Sequence, residues 1–456
     1  MRNYHLRKFA PALFASLALL PITRADELSE LKETLRALEQ KILVLERKQE
    51  IKDEAAAAAA PATPKITVND KGVTLASADA ANSLRIRGLV QLDHRWFFSD
   101  DASLQNSSFV LRRARIIVEG TFAKQFSYQI VPEFGGANPA LVDANFTWTL
   151  APELQFKFGR FKAPVGLELL QSDSWTFFNE RSVASLLVPN RDLGILAQGD
   201  VLGGKLNYTV GIIGGVADGA NTTNSDFDNE KEAVGRLFAT PFKDNAGSPV
   251  QGLGFGIAGT YGRAKGTNGR SAGYRTDGQQ AIFTYLASTI TDGPNWRITP
   301  QLDYRNGSFG LLGEYVISTV NVRANPTGKL SELQNKAWQV SAGYVLTGEN
   351  SSYNGVVPAN DFSLSKGTWG AFEVAARYSN LKIDDSAFPL FANPISSINE
   401  STGYALGLNW YLTKAVRFTF DYYQTEFERI ATAPPTTNPI LKNDEKAFIS
   451  RFQIAF

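Results

Sequence analysis

Arg85 and Arg87 stand two residues apart, as do Arg113 and Arg115, in segments where polar and apolar residues alternate. Lys157 sits between Phe156 and Phe158. Each guanidinium is a planar fork that donates two parallel hydrogen bonds and stays charged at any working pH, which suits an oxyanion. Several such groups at successive depths could hand an anion along a path, where a single tight site would trap it. The same arginines could instead brace carboxylates across neighbouring strands, with Glu119, Glu133 and Asp143 as the available partners.

Other chemistry is sparse. Cys is 0 and His is 2 in 456 residues, and His5 falls in an N-terminal segment expected to be removed. Only His94 remains, on the same parity as Val90, Leu92 and Trp96. That excludes thiolate chemistry and multi-His metal sites, and leaves no basis for an enzyme or a cofactor. Lys+Arg 46 against Asp+Glu 45 argues against a nucleic-acid partner.

The elements that must position these cations are strands. From Leu84 to Phe456, two-residue alternation recurs roughly every 20 residues, broken by Gly, Asn, Asp and Pro clusters. Ile86, Val90, Leu92 and Trp96 share one face, with Arg85, Arg87, Gln91, Asp93 and Arg95 on the other. Ala114, Ile116 and Val118 likewise oppose Arg113, Arg115 and Glu119. The last segment puts Phe448, Phe452, Ile454 and Phe456 opposite Arg451 and Gln453. Such a strand suits the closing position of a membrane barrel, which leaves no open edge in lipid, and Phe456 is the expected assembly signal. Trp96, Trp148, Trp296, Trp338, Trp369 and Trp410 fall near segment ends. The pattern predicts an all-β fold: an antiparallel transmembrane barrel of sixteen strands over residues 84–456, an even number being required if both termini lie on one side.

Ahead of the barrel, Arg2, Arg7 and Lys8, an apolar run from Phe9 to Leu20, and small residues before a cut after Ala25 read as a signal peptide over 1–25. Leu28, Leu31, Leu35, Leu38, Ile42 and Leu45 are spaced 3, 4, 3, 4, 3, the seam of a short coiled-coil helix over 26–52. Residues 53–83, with six alanines and Pro61-Ala62-Thr63-Pro64, read as a linker.

Several segments resemble the phosphate-selective porin O and P family: Phe109-Val110-Leu111-Arg112-Arg113-Ala114-Arg115, Gly159-Arg160-Phe161-Lys162-Ala163-Pro164-Val165-Gly166-Leu167-Glu168, Glu180-Arg181-Ser182, and Pro189-Asn190-Arg191-Asp192-Leu193-Gly194. Arg297-Ile298-Thr299-Pro300-Gln301 and Gly307-Ser308-Phe309-Gly310 follow in the same order. The resemblance implies a homotrimer of sixteen-stranded channels in the outer membrane of a Gram-negative bacterium. A loop would fold into each pore, and lumen Lys and Arg would draw small anions such as phosphate.

Residues 162–191 are too long for a turn and form the expected constriction loop, placing Lys162, Arg181 and Arg191 near its narrowest point. Arg85, Arg87, Arg113, Arg115 and Lys157 would line the approach. Between Leu84 and Arg191, twelve basic residues face ten acids, which leaves a general or differently selective porin open. The helical preface leaves open a third role, a tether to a periplasmic or cell-wall partner.

Overall fold

A computed structural model describes residues 24–59, 63–98, 107–136, 138–223, 225, 228–266, 271, 273–430, 435, 441 and 444–456. The signal peptide expected over 1–25 lies outside them except for its last two residues.

The chain divides into two units, Met1–Thr63 and Pro64–Phe456. In the first, α1 spans Arg24–Ala59. It runs past residue 52 because the alanines read as the start of a linker are the strongest helix formers. Leu31, Leu35, Leu38, Ile42 and Leu45 are 51–65% exposed along it.

The second unit opens with a hairpin, β1 (Lys65–Asn69) and β2 (Gly72–Ala76), in the segment read as linker. Gly72 takes φ +95° at its turn, and a Cβ there would lie 2.2 Å from the Ile86 carbonyl oxygen. The barrel follows with β3 (Ser83–Phe97), β4 (Ser108–Phe122), β5 (Phe126–Glu133), β6 (Ala140–Ala151), β7 (Leu154–Lys162), β8 (Arg191–Val201), β9 (Leu206–Ile213), β10 (Glu232–Ala239) and β11 (Leu253–Gly266). A short loop pair, β12 (Tyr274–Arg275) and β13 (Ala281–Phe283), precedes β14 (Ile290–Asn306), β15 (Phe309–Arg323), β16 (Ser331–Val345), β17 (Ala371–Lys382), β18 (Glu400–Tyr411), β19 (Val416–Glu428) and β20 (Glu445–Ala455). Apart from β1, β2, β12 and β13, these sixteen strands pair in an unbroken antiparallel ring.

Closure is made by β20 on β3, from Ala447↔Phe97 to Ala455↔Leu89. The Phe456 N–H then donates to the Gly88 carbonyl, and the Gly88 N–H to the Phe456 carbonyl. Where β20 ends, β2 takes its place beside β3, from Val73↔Ile86 to Ala76↔Ser83. Both ends of the ring's chain therefore lie on one rim. Connections there are mostly short, as between Asn306 and Phe309, with 240–252 and 346–370 the longer exceptions. The opposite rim carries the long connections 163–190, 214–231, 267–289 and 383–399.

Alternation sorts the side chains as expected. Ile86, Val90, Leu92 and Trp96 point outward and Gln91, Asp93 and Leu89 inward. The lumen is not uniformly polar. Residues of 163–190, 273–289 and 383–399 fill part of it with an apolar core that includes Val165, Leu187, Ile282, Phe283, Phe391 and Ile398.

Candidate permeation site

The loop joining β7 to β8 folds into the barrel. It carries a short helical turn, α2 (Leu167–Leu170), and a 3₁₀ turn, Val183–Leu187. A buried loop must find donors for its carbonyls, and the barrel wall supplies them in sequence. Gln91 donates to the carbonyls of Asp173 (3.0 Å) and Gln453 to Ser174 (3.1 Å). Arg417 donates to Thr176 (3.0 Å), Asn409 to Phe177 (2.8 Å), Arg451 to Asn179 (2.5 Å) and Arg377 to Glu180 (3.0 Å). The Arg377 guanidinium also lies 4.6 Å from the Phe178 ring centroid, a cation–π contact.

Two loop carboxylates complete the seat. Asp173 pairs with Arg113 (3.3 Å), Arg115 and Arg181. Glu180 pairs with Arg112 (2.7 Å), Arg95 (3.4 Å) and Arg451 (3.4 Å). Burial alone would push both carboxyls up. The Arg113, Arg181 and Arg115 charges hold Asp173 well below the usual carboxylate range instead, and Arg112 and Arg451 do the same for Glu180. Arg112 reaches Glu180 because β4 bulges: Gln91 faces Arg113 and Leu92 faces Leu111, so Arg112 has no partner on β3. A bulge re-aims a side chain that strict alternation would send to lipid.

Beneath the loop, toward the rim bearing the chain ends, lies a cavity of about 660 Å³. Its basic lining is Lys71, Arg85, Arg87, Arg115, Lys157, Lys162, Arg191 and Lys414; its acids are Asp70, Asp143 and Asp173. Ser172, Ser174 and Trp175 of the loop and Tyr353 and Asn354 of the 346–370 connection also border it. The Tyr353 hydroxyl donates to the Leu167 carbonyl at 2.6 Å, joining that connection to the loop.

Six of the eight cations expected from sequence line this cavity. Arg113 and Arg181 do not; both turn to Asp173, and Arg113 also donates to Gln91 Oε1 at 2.7 Å. Of the six, Arg85 and Arg87 share Glu119, with Arg87 bidentate at 3.0 and 2.9 Å. Arg115 joins Glu133 at 2.6 Å, and Arg191 joins Asp143 at 3.2 Å. Lys162 Nζ donates to the Gln171 carbonyl at 2.8 Å, and Lys157 Nζ lies 5.7 Å from the Phe161 ring centroid. Among the described residues, neither lysine has a carboxylate within ion-pair distance.

By parity Arg95 shares the lumen face of Arg85 and Arg87, whereas residue spacing did not single out Arg112, Arg377, Arg417 or Arg451, nor Lys71 and Lys414. Arg417 and Arg451 carried a usable signal, since both lie on the polar parity of their strands. Lys414 sits in a turn, where it meets Asp70 of the β1–β2 turn at 2.9 Å, and strand parity says nothing of turns. His94 points outward, its ring 4.7 Å from that of Phe109.

The sequence family described as phosphate-selective porin O and P matches residues 84–456. Porin O of Pseudomonas aeruginosa is 24% identical, over 84% of this chain and 91% of its own length. Among solved structures, the trimer form of in-vitro folded OmpT, an outer membrane protein of Vibrio cholerae, aligns with a TM-score of 0.52 at 12% identity, over 82% of this chain and 100% of that one. The outer membrane channel DcaP of Acinetobacter baumannii gives 0.52 at 10% identity, over 83% and 98%. These structural likenesses concern the fold alone. With a closed sixteen-stranded barrel and a family match across all of it, the chain belongs to the phosphate-selective porin O and P family of outer-membrane porins, which are channels rather than enzymes.

Proposed function

We propose that this porin passes small anions, with phosphate or a similar oxyanion favoured. The observation that carries the reading is the charge of the cavity under the inward loop, where eight Lys and Arg side chains stand against three Asp. A partly desolvated vestibule of that sign concentrates anions and repels cations. The ion pairs keep any one cation from becoming a trap, since an anion that replaces a carboxylate must compete with it. The family's description points to phosphate as the permeant.

The short-turn rim faces the periplasm in this reading, as short turns do in bacterial barrels. The leader-proximal helix α1 then lies in the periplasm. The functional unit is a homotrimer, and the α1 seams associate within it. A general porin is the second reading, favoured by the ion pairing of Arg85, Arg87, Arg115 and Arg191.

Zero-current potential across a planar bilayer in a KCl gradient separates the two. An anion-selective potential, with chloride current blocked by added phosphate, is expected. A potential near zero or of cation sign rejects the anion channel.

A further inference from the structure

The closure seam leaves a gap that the sixteen strands do not fill themselves. β20 ends opposite Leu89 and Gly88, while β3 continues through Arg87 to Ser83, still paired with β4 on its other side. An unpaired strand edge facing lipid is costly, because its N–H and C=O groups have no partners there. The β1–β2 hairpin supplies the missing neighbour: β2 pairs with β3 from Ile86 to Ser83, and β1 lies beyond β2. The hairpin stands ahead of residue 84, before the ring begins.

Its two faces continue those of β3. Val73 lies beside Ile86 and Val68 beside Val73, all exposed on the outer side, whereas Thr74 accepts from Arg85 Nε at 3.3 Å on the lumen side. The turn between the strands is fixed, since the Lys71 N–H donates to the Asn69 side chain at 2.9 Å. Asp70 in that turn pairs with Lys414, whose own turn is tied to the end of β20: the Ala455 N–H donates to the Ala415 carbonyl at 2.8 Å. The ion pair thus bridges the gap from the β3 side to the β20 side. Lys414, by its hydrogen bond, and Lys71, by its charge, hold the Asp70 carboxyl below its usual range. Asp70, Lys71 and Lys414 border the 660 Å³ cavity beneath the inward loop, and the Asp70 and Lys414 side chains are 43% and 35% exposed, so the cavity meets solvent at this turn.

We propose that the β1–β2 hairpin is a working part of the channel: it forms the pore wall below the closure seam, and its turn, latched to Lys414, controls the mouth at the chain-end rim. Lys71 and Lys414 pass anions between the cavity and solvent there, with Asp70 as the carboxylate that competes for them. A carboxylate beside two ammonium groups keeps the mouth attractive to an anion without holding it. The proposal rests on the cavity being the permeation path.

The chain has no cysteine, so a single introduced thiol can be labelled without background. The test is planar-bilayer recording of full-length Lys71→Cys treated with methanethiosulfonates that carry either a sulfonate or a trimethylammonium group. The sulfonate should lower the current roughly twofold, by placing a negative charge at the mouth, and the trimethylammonium should restore it toward wild type. Val68→Cys, on the outer face of the same hairpin, should keep its current with either reagent. Asp70→Asn, which leaves the hairpin in place and removes the competing carboxylate, should raise the anion/cation ratio. The proposal fails if Lys71→Cys is labelled by mass yet keeps its current, if the two reagents act alike, if Val68→Cys responds as Lys71→Cys does, or if Asp70→Asn leaves the ratio unchanged. An anion-selective wild type with an inert Lys71→Cys rejects the hairpin's part alone, whereas a wild type without anion preference rejects the reading of the pore itself.

Discussion

Asp173 and Glu180 divide six arginines between them, three to each carboxylate: Arg113, Arg115 and Arg181 on the first, Arg95, Arg112 and Arg451 on the second. One end of this span is tied to β4 and the loop itself, the other to β3, β4 and β20. The loop is thereby fixed across the closure seam of the barrel. Removing one partner from a buried, charged cluster leaves the others uncompensated, at a cost of about 3–5 kcal/mol. Asp173→Asn should therefore lower Tm in detergent and make the open-channel current noisier, as the loop loses its seat. An unchanged Tm together with quiet single-channel records would show that the loop is held by its backbone contacts alone.

The pH dependence of that seat has a definite sign. The folded-state carboxyl of Asp173 lies well below its unfolded value, which is about 3.9. Its contribution is present above the unfolded value and is lost as pH falls through the lower, folded one. The Tm difference between wild type and Asp173→Asn should hence stay constant from about pH 8 to 5 and shrink only below about pH 4. A difference that already falls near pH 6 would mean that Asp173 is not held by its arginines.

Phe456 closes the ring against a residue that leaves room for it. A Cβ on Gly88 would come within 2.6 Å of the Phe456 ring. Two changes should thus act alike: Phe456→Ala removes the ring, and Gly88→Val displaces it. Both should reduce assembly into the outer membrane while leaving the Tm of assembled protein nearly unchanged. Surface levels equal to wild type in both variants would remove Phe456 as the assembly signal.

Most of the architecture was legible because alternation reports directly on which face of a strand meets lipid. Ile86, Val90 and Leu92 announced one face, Arg85, Arg87 and Gln91 the other, and sixteen or seventeen such runs, with an even number required, pointed to a ring of sixteen. The inward loop was legible from length alone. What stayed hidden depends on departures from regularity. The bulge at Arg112 has no signature in Phe109-Val110-Leu111-Arg112-Arg113, and the hairpin at 65–76 was hidden behind the alanines and prolines that mark 53–83 as linker, although Ile66 and Val68 alternate with polar residues. Pairing was hidden for another reason. Which carboxylate an arginine meets depends on where a loop returns, and Asp173 reaches Arg113 and Arg115 only once 163–190 has folded inward.

The α1 seam offers a separate handle on assembly. Leu and Ile at both core positions do not force a dimer, and a trimeric barrel would raise the local concentration of three such helices. Deleting residues 26–60 should lower the thermal stability of the trimer and leave conductance nearly intact. Collapse of conductance would instead make the segment part of the pore; unaltered trimer stability would favour a role in tethering another partner.

Anion preference should rest on Lys157 and Lys162 more than on the arginines around them. Both lysines line the cavity beneath the loop, one holding only a backbone carbonyl and the other facing an aromatic ring. Arg113 and Arg181 lie off that lining and hold Asp173. A charge already matched by a carboxylate contributes little net field to a passing ion, whereas an unmatched one acts with little cancellation. At about 4 Å and an effective dielectric of 20 the interaction is about 4 kcal/mol, falling steeply where water and salt intervene. Lys157→Gln and Lys162→Gln should therefore each shift the reversal potential toward cations with little change in Tm. Even about 1 kcal/mol of that attraction corresponds to a roughly fivefold change in the anion/cation ratio. Arg113→Gln and Arg181→Gln should do the reverse, lowering Tm while moving selectivity less. Arg85→Gln should shift selectivity least, because Arg85 is the more exposed of the two arginines that share Glu119. If the arginine variants shift the reversal potential and the lysine variants do not, the paired guanidinium groups themselves carry the anions, and exchange between carboxylate and permeant becomes the mechanism.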